Sequence, residues 1–225
     1  AALLLAAVPF AVHSQSAPAA STPQCAPHEL VVMSYNIRLD TAQDGANAWP
    51  MRRAFLMGQV AMMRPEIVGF QEVLLHQRAD LMAALPHHAF VGGGRDDGQE
   101  AGEFAPLAID RRAFAVTESG TFWLSPTPDT PSIGWDASYK RMVVWARVRH
   151  TQSGQAMLIL NTHWDHIGQV ARWESGRLMA QWLQLNRKDG EAVIVIGDFN
   201  TAANTPAIAQ LTNETQGAPI LVNAQ

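Results

Sequence analysis

AVIVIGDFN, residues 192–200, decides the fold. Ala192 to Ile196 form an apolar, β-branched run that reads as a strand buried among other strands. It leads straight into Asp198 and Asn200. In extended backbone, residues two apart point the same way, so Asp198 and Asn200 are expected to share one face while Phe199 turns into the core. A carboxylate beside an amide offers a hard oxygen ligand and a donor for a phosphate or an attacking water. An Asx turn or a helix cap after the strand accounts for the same residues. The nonapeptide leaves both readings open.

Three more apolar runs end in polar clusters. LVVMSYNI (30–37) delivers Asn36 and Arg38, EIVGF (66–70) delivers Gln71 and Glu72, and residues 156–161 lead into Asn161, His163, Asp165 and His166. Ligand sites in α/β sheets gather at the C-terminal ends of strands, where loops converge. Glu72 is a natural ligand for Mg²⁺, which keeps several waters and takes only one or two carboxylates, with help from Asn36. The alternative is a helix-start glutamate favoured by the dipole. His163 reads either as a donor or general acid toward a phosphate oxygen, or as a packed histidine. Asp165 either orients an imidazole or caps the following turn.

Between these runs the spacing predicts helices over 49–63, 74–85 and 169–187, with Pro50 in a first turn and Pro65 and Pro86 as stops. Arg172, Glu174 and Arg177 are expected on the wet face of the last of these. Further strands are expected at 89–94, 104–109, 114–119 and 142–149, and a short helix at Pro206, capped by Asn204 or Thr205. Such alternation predicts a mixed sheet covered by helices, an α/β layered domain. The excursion 126–138, with its prolines and Trp135, is long enough to be functional or mobile.

The chain has 225 residues, 48% of them hydrophobic, which suits one domain with a sizeable core. Its formal net charge is -4 and no basic stripe is legible. That weighs against a non-specific nucleic-acid groove but not against one phosphate in a pocket. Residues 1–20 carry no Lys, Arg, Asp or Glu and read as a partial signal peptide lacking its Met and positive n-region, or else as an Ala-rich tail. Residues 21–29 form a linker whose Cys25, the single cysteine, cannot form an internal disulfide and reads as a free thiol. No later segment is long and apolar enough to span a membrane. The expected location is secreted or periplasmic.

SYNIR (34–38), PEIVGFQEV (65–73), NTHWDH (161–166) and VIGDFN (195–200), in that order, resemble the endonuclease/exonuclease/phosphatase superfamily. GRDDGQEAGEFAPL (94–107), DGANAWPMRR (44–53) and GTFWLSPTPD (120–129) resemble a secreted bacterial branch of it. The resemblance implies a four-layer α/β sandwich, with two mixed β-sheets packed face to face and helices outside. It implies a hydrolase of phosphomonoesters or phosphodiesters that uses Mg²⁺, or Mn²⁺ in its place, to promote in-line attack of water. By the same resemblance Asn36 and Glu72 lie at the metal, His163 contacts the scissile phosphate, and Asp198 and Asn200 position water and phosphate. Arg141, Glu103 and Asp165 are placed on the substrate side, Arg141 as a phosphate clamp. The substrate is expected to be a phosphorylated small molecule, a phospholipid headgroup or a nucleic acid, and the protein a monomer.

Two features depart from the family pattern. The family carries a late Asp-His pair, yet residues 201–225 contain neither Asp nor His. The expectation is therefore a domain over 30–225 that lacks its final strands, with these 225 residues inactive although the full product is an enzyme. A non-catalytic phosphate-binding module is the alternative. The second departure is Ile109 and Asp110, where relatives show an aromatic and a basic residue, which puts substrate contacts there in doubt.

Overall fold

A computed structural model describes residues 30–212 and 221–222. The leader-like segment, the linker and Cys25 lie outside the described residues. Strand β1 (Val32–Asn36) is followed by helix α1 (Trp49–Met63) and returns in parallel as β2 (Ile67–Gln71). Helix α2 (Leu75–Ala84) then leads to β3 (His88–Val91) and β4 (Leu107–Asp110), an antiparallel pair whose β4 also borders β2. This first sheet has the order β1-β2-β4-β3.

The second sheet begins with an antiparallel meander of β5 (Phe114–Trp123), β6 (Met142–His150) and β7 (Ala156–His163). Helix α3 (Gln169–Asn186) carries the chain across to β8 (Ala192–Asp198), parallel to β7, and α4 (Pro206–Thr212) packs on α3. The order is β5-β6-β7-β8.

Strand alternation sorts the side chains into layers. Ile67, Leu107, Ile109, Val144 and Ile159 meet between the sheets. On the outer face of the first sheet, Val68 and Phe70 pack on Trp49, Leu56, Val60 and Leu81 of α1 and α2. On the outer face of the second, Leu158 and Leu160 pack on Met179, Leu183 and Leu211 of α3 and α4. Each such large side chain, fully buried, contributes about 2 kcal/mol relative to exposure. The result is helices, sheet, sheet, helices: the expected four-layer sandwich.

Several boundaries moved for local reasons. The strand expected over 104–109 is confined to β4, because Phe104 makes isolated bridges to Val73 and Gly94 and Pro106 has no N–H to give the ladder. β5 runs on to Trp123 across a bulge between Val116 and Glu118. A 3₁₀ segment, Ala42–Asn47, buries no residue, so no apolar pattern announces it. On α3, Glu174 and Arg177 pair as expected of a wet face, but Arg172 turns back to donate to the carbonyl of Asp165.

One polar clasp ties the sheets together beneath the strand ends. Asn161 of β7 is wholly buried, and its Nδ2 donates to the carbonyls of Phe70 (2.8 Å) and Ala105 (3.0 Å) on the other side. Its Oδ1 accepts from Gln71 Nε2 at 2.8 Å. A buried amide satisfied in this way rigidifies and specifies the sheet packing.

Candidate active site

β1 and β2 run parallel, with Asn36 level with Gln71, and β7 and β8 run parallel, with His163 level with Asp198. All four strands therefore end at one edge of the sandwich. β1 and β8 are terminal strands of their sheets and lie against each other, which brings residues 162 positions apart into contact.

At that meeting point Asn36 Nδ2 donates to Glu72 Oε1 (2.8 Å) and to Asp198 Oδ2 (2.9 Å). Its Oδ1 accepts from the backbone N–H of Arg38 at 2.9 Å. The amide thus presents its donors to two carboxylates and aligns them with each other. Glu72 leaves β2 with φ +59°, a left-handed conformation that costs a non-glycine residue energy and tends to persist at functional sites. Its Oε2 accepts from Leu39 N at 3.2 Å.

Asp198 and Asn200 reach the site by a different route from the expected strand alternation. β8 stops at Asp198, and Asn200 sits in a left-handed turn with φ +48°. Asp198 Oδ1 accepts from Asn200 N (3.0 Å), and Asn200 Nδ2 donates to the carbonyl of Trp164 (3.0 Å). The Asx turn and the site are thus one structure.

His163 is 9% exposed, and its Nε2 stands 3.9 Å from Asp198 Oδ2, beyond hydrogen-bond range. Burial, joined by the field of Arg141, pushes its pKa down to about 4, against the opposing pull of Asp198 and Glu72. In the free protein at neutral pH the imidazole is uncharged, suited to donating a hydrogen bond to a phosphoryl oxygen rather than to supplying charge.

The three residues expected on the substrate side separate. Arg141 is 4% exposed, not a solvated charge at the start of β6. Asp165 is wholly buried. It accepts from Ile167 N and Gly168 N at one oxygen, and from Ser138 N and Arg141 Nε (3.3 Å) at the other. Burial opposes its charge, but these N–H groups and the guanidinium outweigh it and hold the pKa near 2. Asp165 is therefore placed to position Arg141, with both of its oxygens already accepting from protein N–H groups. Glu103 faces Arg95, whose Nη1 lies 2.9 Å from Glu103 Oε2. Burial raises the Glu103 pKa against the pull of Arg95 and Arg141.

Arg141, Glu103, Glu72, His163 and Asn200 line one cavity of about 350 Å³. A second, of about 390 Å³, lies on the other side of Asn200 and is lined by Asn36, Gln71 and Asp198. Arg95, Tyr139 and His166 also line the first cavity. The glycines around Arg95 announce a turn, but nothing local shows where its side chain goes. Ile109 faces the inter-sheet core and Asp110 pairs with Arg112, so neither lines these cavities.

The donor set fits a hard divalent cation. Among the described residues no group of three or more His, Cys, Asp and Glu is placed as a cage. Mg²⁺ needs only one or two carboxylates, with waters and substrate oxygens completing its octahedron. Glu72 and Asp198 converge on one amide, and among the described residues neither is paired with a Lys or Arg. Two adjacent acids without a cation favour binding one.

A model of the Endonuclease/Exonuclease/phosphatase family matches residues 33–218. An endonuclease/exonuclease/phosphatase family protein from Bacteroides thetaiotaomicron is 36% identical, with a TM-score of 0.79, over 82% of this chain and 68% of that one. A mannosyl-6-phosphatase from the same organism is also 36% identical, with a TM-score of 0.79, over 83% of this chain and 71% of the other. An uncharacterised protein of Acanthamoeba polyphaga mimivirus is 26% identical over 160 residues, 68% of this chain. The match spans 59% of that relative's length.

Proposed function

Since this chain belongs to the endonuclease/exonuclease/phosphatase family, we propose that it serves as a divalent-metal-dependent phosphoester hydrolase, with Mg²⁺ as the metal and Mn²⁺ as a substitute. The observation that carries this reading is the amide of Asn36 bridging Glu72 and Asp198, with His163 Nε2 3.9 Å from the latter. Glu72 would hold the cation, with Asp198 beside it. A bound cation would neutralise charge on the phosphoryl oxygens and act as a Lewis acid toward them.

The chain's own groups do the rest. Asp198, held on one oxygen by Asn200 N and on the other by Asn36, is oriented to accept a proton from water. Neutral His163 donates to a phosphoryl oxygen, and Asn200 shares the floor of both cavities. Placing these donors in advance is what stabilises charge in the transition state. The mannosyl-6-phosphatase relative supports including phosphorylated sugars among the substrates. The charge-free, Ala- and Leu-rich segment over 1–12 supports export from the cytoplasm.

Hydrolysis of p-nitrophenyl phosphate and of bis-p-nitrophenyl phosphate by the full-length protein, with Mg²⁺ and with EDTA, tests the proposal. Turnover that needs the metal and falls at least a hundredfold in Asp198→Asn is the expected result. No metal-dependent turnover, with phosphate binding that survives Glu72→Ala, would overturn it in favour of a binding module.

A further inference from the structure

The wall of the 350 Å³ cavity is built for a ligand that both donates and accepts hydrogen bonds. Three of its buried polar atoms have no hydrogen-bond partner among the described residues: Arg141 Nη1, Arg95 Nε and Glu103 Oε2. The 2.9 Å approach of Arg95 Nη1 to Glu103 Oε2 is an ion contact without hydrogen-bond alignment. These side chains are not loose. Arg141 is fixed by Asp165 through Nε and by His166 Nδ1 through Nη2 (3.1 Å), which leaves Nη1 as its unassigned donor. Side chains of Arg95 and Glu103 are only 12% and 14% exposed.

Charge decides what kind of ligand fits. The two guanidinium groups face two carboxylates, Glu103 and Asp165, so the wall is balanced and has little excess pull on a second anion. An anion there would also meet the Glu103 carboxylate. A hydroxyl group suits both kinds of atom, because it gives one hydrogen bond and accepts two. At the rim, half-exposed Tyr139 stacks on His166 with ring centroids 6.0 Å apart, and offers an apolar ring edge beside the polar wall. Glu72, His163 and Asn200 line the same cavity, so a group held here is attached to the phosphate held there.

We infer that Arg95, Glu103 and Arg141, with Tyr139 at the rim, form a hydroxyl-reading subsite that selects phosphomonoesters of a polyol. This rests on the phosphoester reading of the adjoining site. A site built to hydrogen-bond hydroxyls discriminates strongly against ligands that lack them, because its buried polar groups are then left unpaired.

Calorimetry with Mg²⁺ present tests it, using the non-hydrolysable 6-phosphonate analogue of a hexose phosphate, methylphosphonate and adenosine monophosphate. The hexose analogue is expected to bind at least tenfold more tightly than methylphosphonate. Arg95→Leu is expected to narrow that ratio fivefold or more. Tyr139→Ala, at a half-exposed position, carries the same comparison should Arg95→Leu fail to fold. Equal binding of the two phosphonates, or a ratio unmoved by the folded variants, overturns the subsite and leaves the hydrolase reading intact. Tighter binding of the nucleotide than of the hexose analogue overturns the polyol class. Binding of none of the three overturns both readings together.

Discussion

A Cβ added to Gly69 would stand 2.5 Å from Oδ1 of Asn161, which crosses from the opposite sheet. No real Cβ contact is that short, so the absent side chain of one residue is the room that the other occupies. Asn161 then reaches Gln71, next to Glu72, and lies two residues before His163. Spacing between the sheets and placement of the site thus share one contact.

Gly69→Ala is therefore expected to destabilise the protein by about 1–3 kcal/mol, as overpacking of a filled core does. Urea denaturation measures it. A variant as stable as the parent would show that the sheets can part without cost.

Glu72→Gln tests the cation site separately from the fold. The amide keeps the size of the side chain and removes one of two adjacent negative charges. Thermal stability in metal-free buffer is expected to hold or rise, while the rise in Tm on adding Mg²⁺ disappears. A variant that keeps the parent's Mg²⁺-induced shift would move the metal elsewhere.

Asp165→Ala leaves the buried guanidinium of Arg141 without its carboxylate and three backbone N–H groups without an acceptor. Breaking a buried pair from one side costs about 3–5 kcal/mol. Chemical denaturation should show a loss of that size. A loss under 1 kcal/mol would mean that Arg141 finds another partner.

Stability should fall on mild acidification because of His163. Its folded pKa of about 4 lies below the ordinary 6.5, so its contribution is full above pH 6.5 and is lost as the pH falls toward 4. In that window the unfolded chain binds the proton that the folded chain refuses, at up to about 1.4 kcal/mol per pH unit. Asp165, held near 2 against an ordinary 3.8, adds a separate loss only below pH 3.8. Urea unfolding at pH 7 and pH 5 should show the first slope in the parent and a flatter one in His163→Asn. Equal slopes would place the titration on another group.

Much of the fold was legible because each element advertises its own burial. The pattern over 49–63 marks α1 to the residue, since Pro50 opens it and Pro65 closes it. The apolar runs over 30–37, 66–70, 156–161 and 192–196 mark four strands, β1, β2, β7 and β8, whose polar ends had to emerge somewhere. Asp165 was not legible in this way. Its letters read alike for a group facing ligand and for one sealed under Arg141, and only the loop that brings Ser138 against it distinguishes them. Arg95 is likewise assigned by Glu103 and the cavity wall, not by its neighbours in the chain.

By itself, then, the chain's sequence determined which segments are strands and helices, which family they compose and which polar residues stand at the strand ends. Periodicity and motif order are local quantities, and the side chains alone carry them. Tertiary structure decided that Asn36 binds its carboxylates through nitrogen, that Asp198 and Asn200 converge through a left-handed turn, and that burial holds the His163 pKa down. Those outcomes depend on which strand ends meet across two sheets and on how much water they exclude. Neither is a property of any one segment.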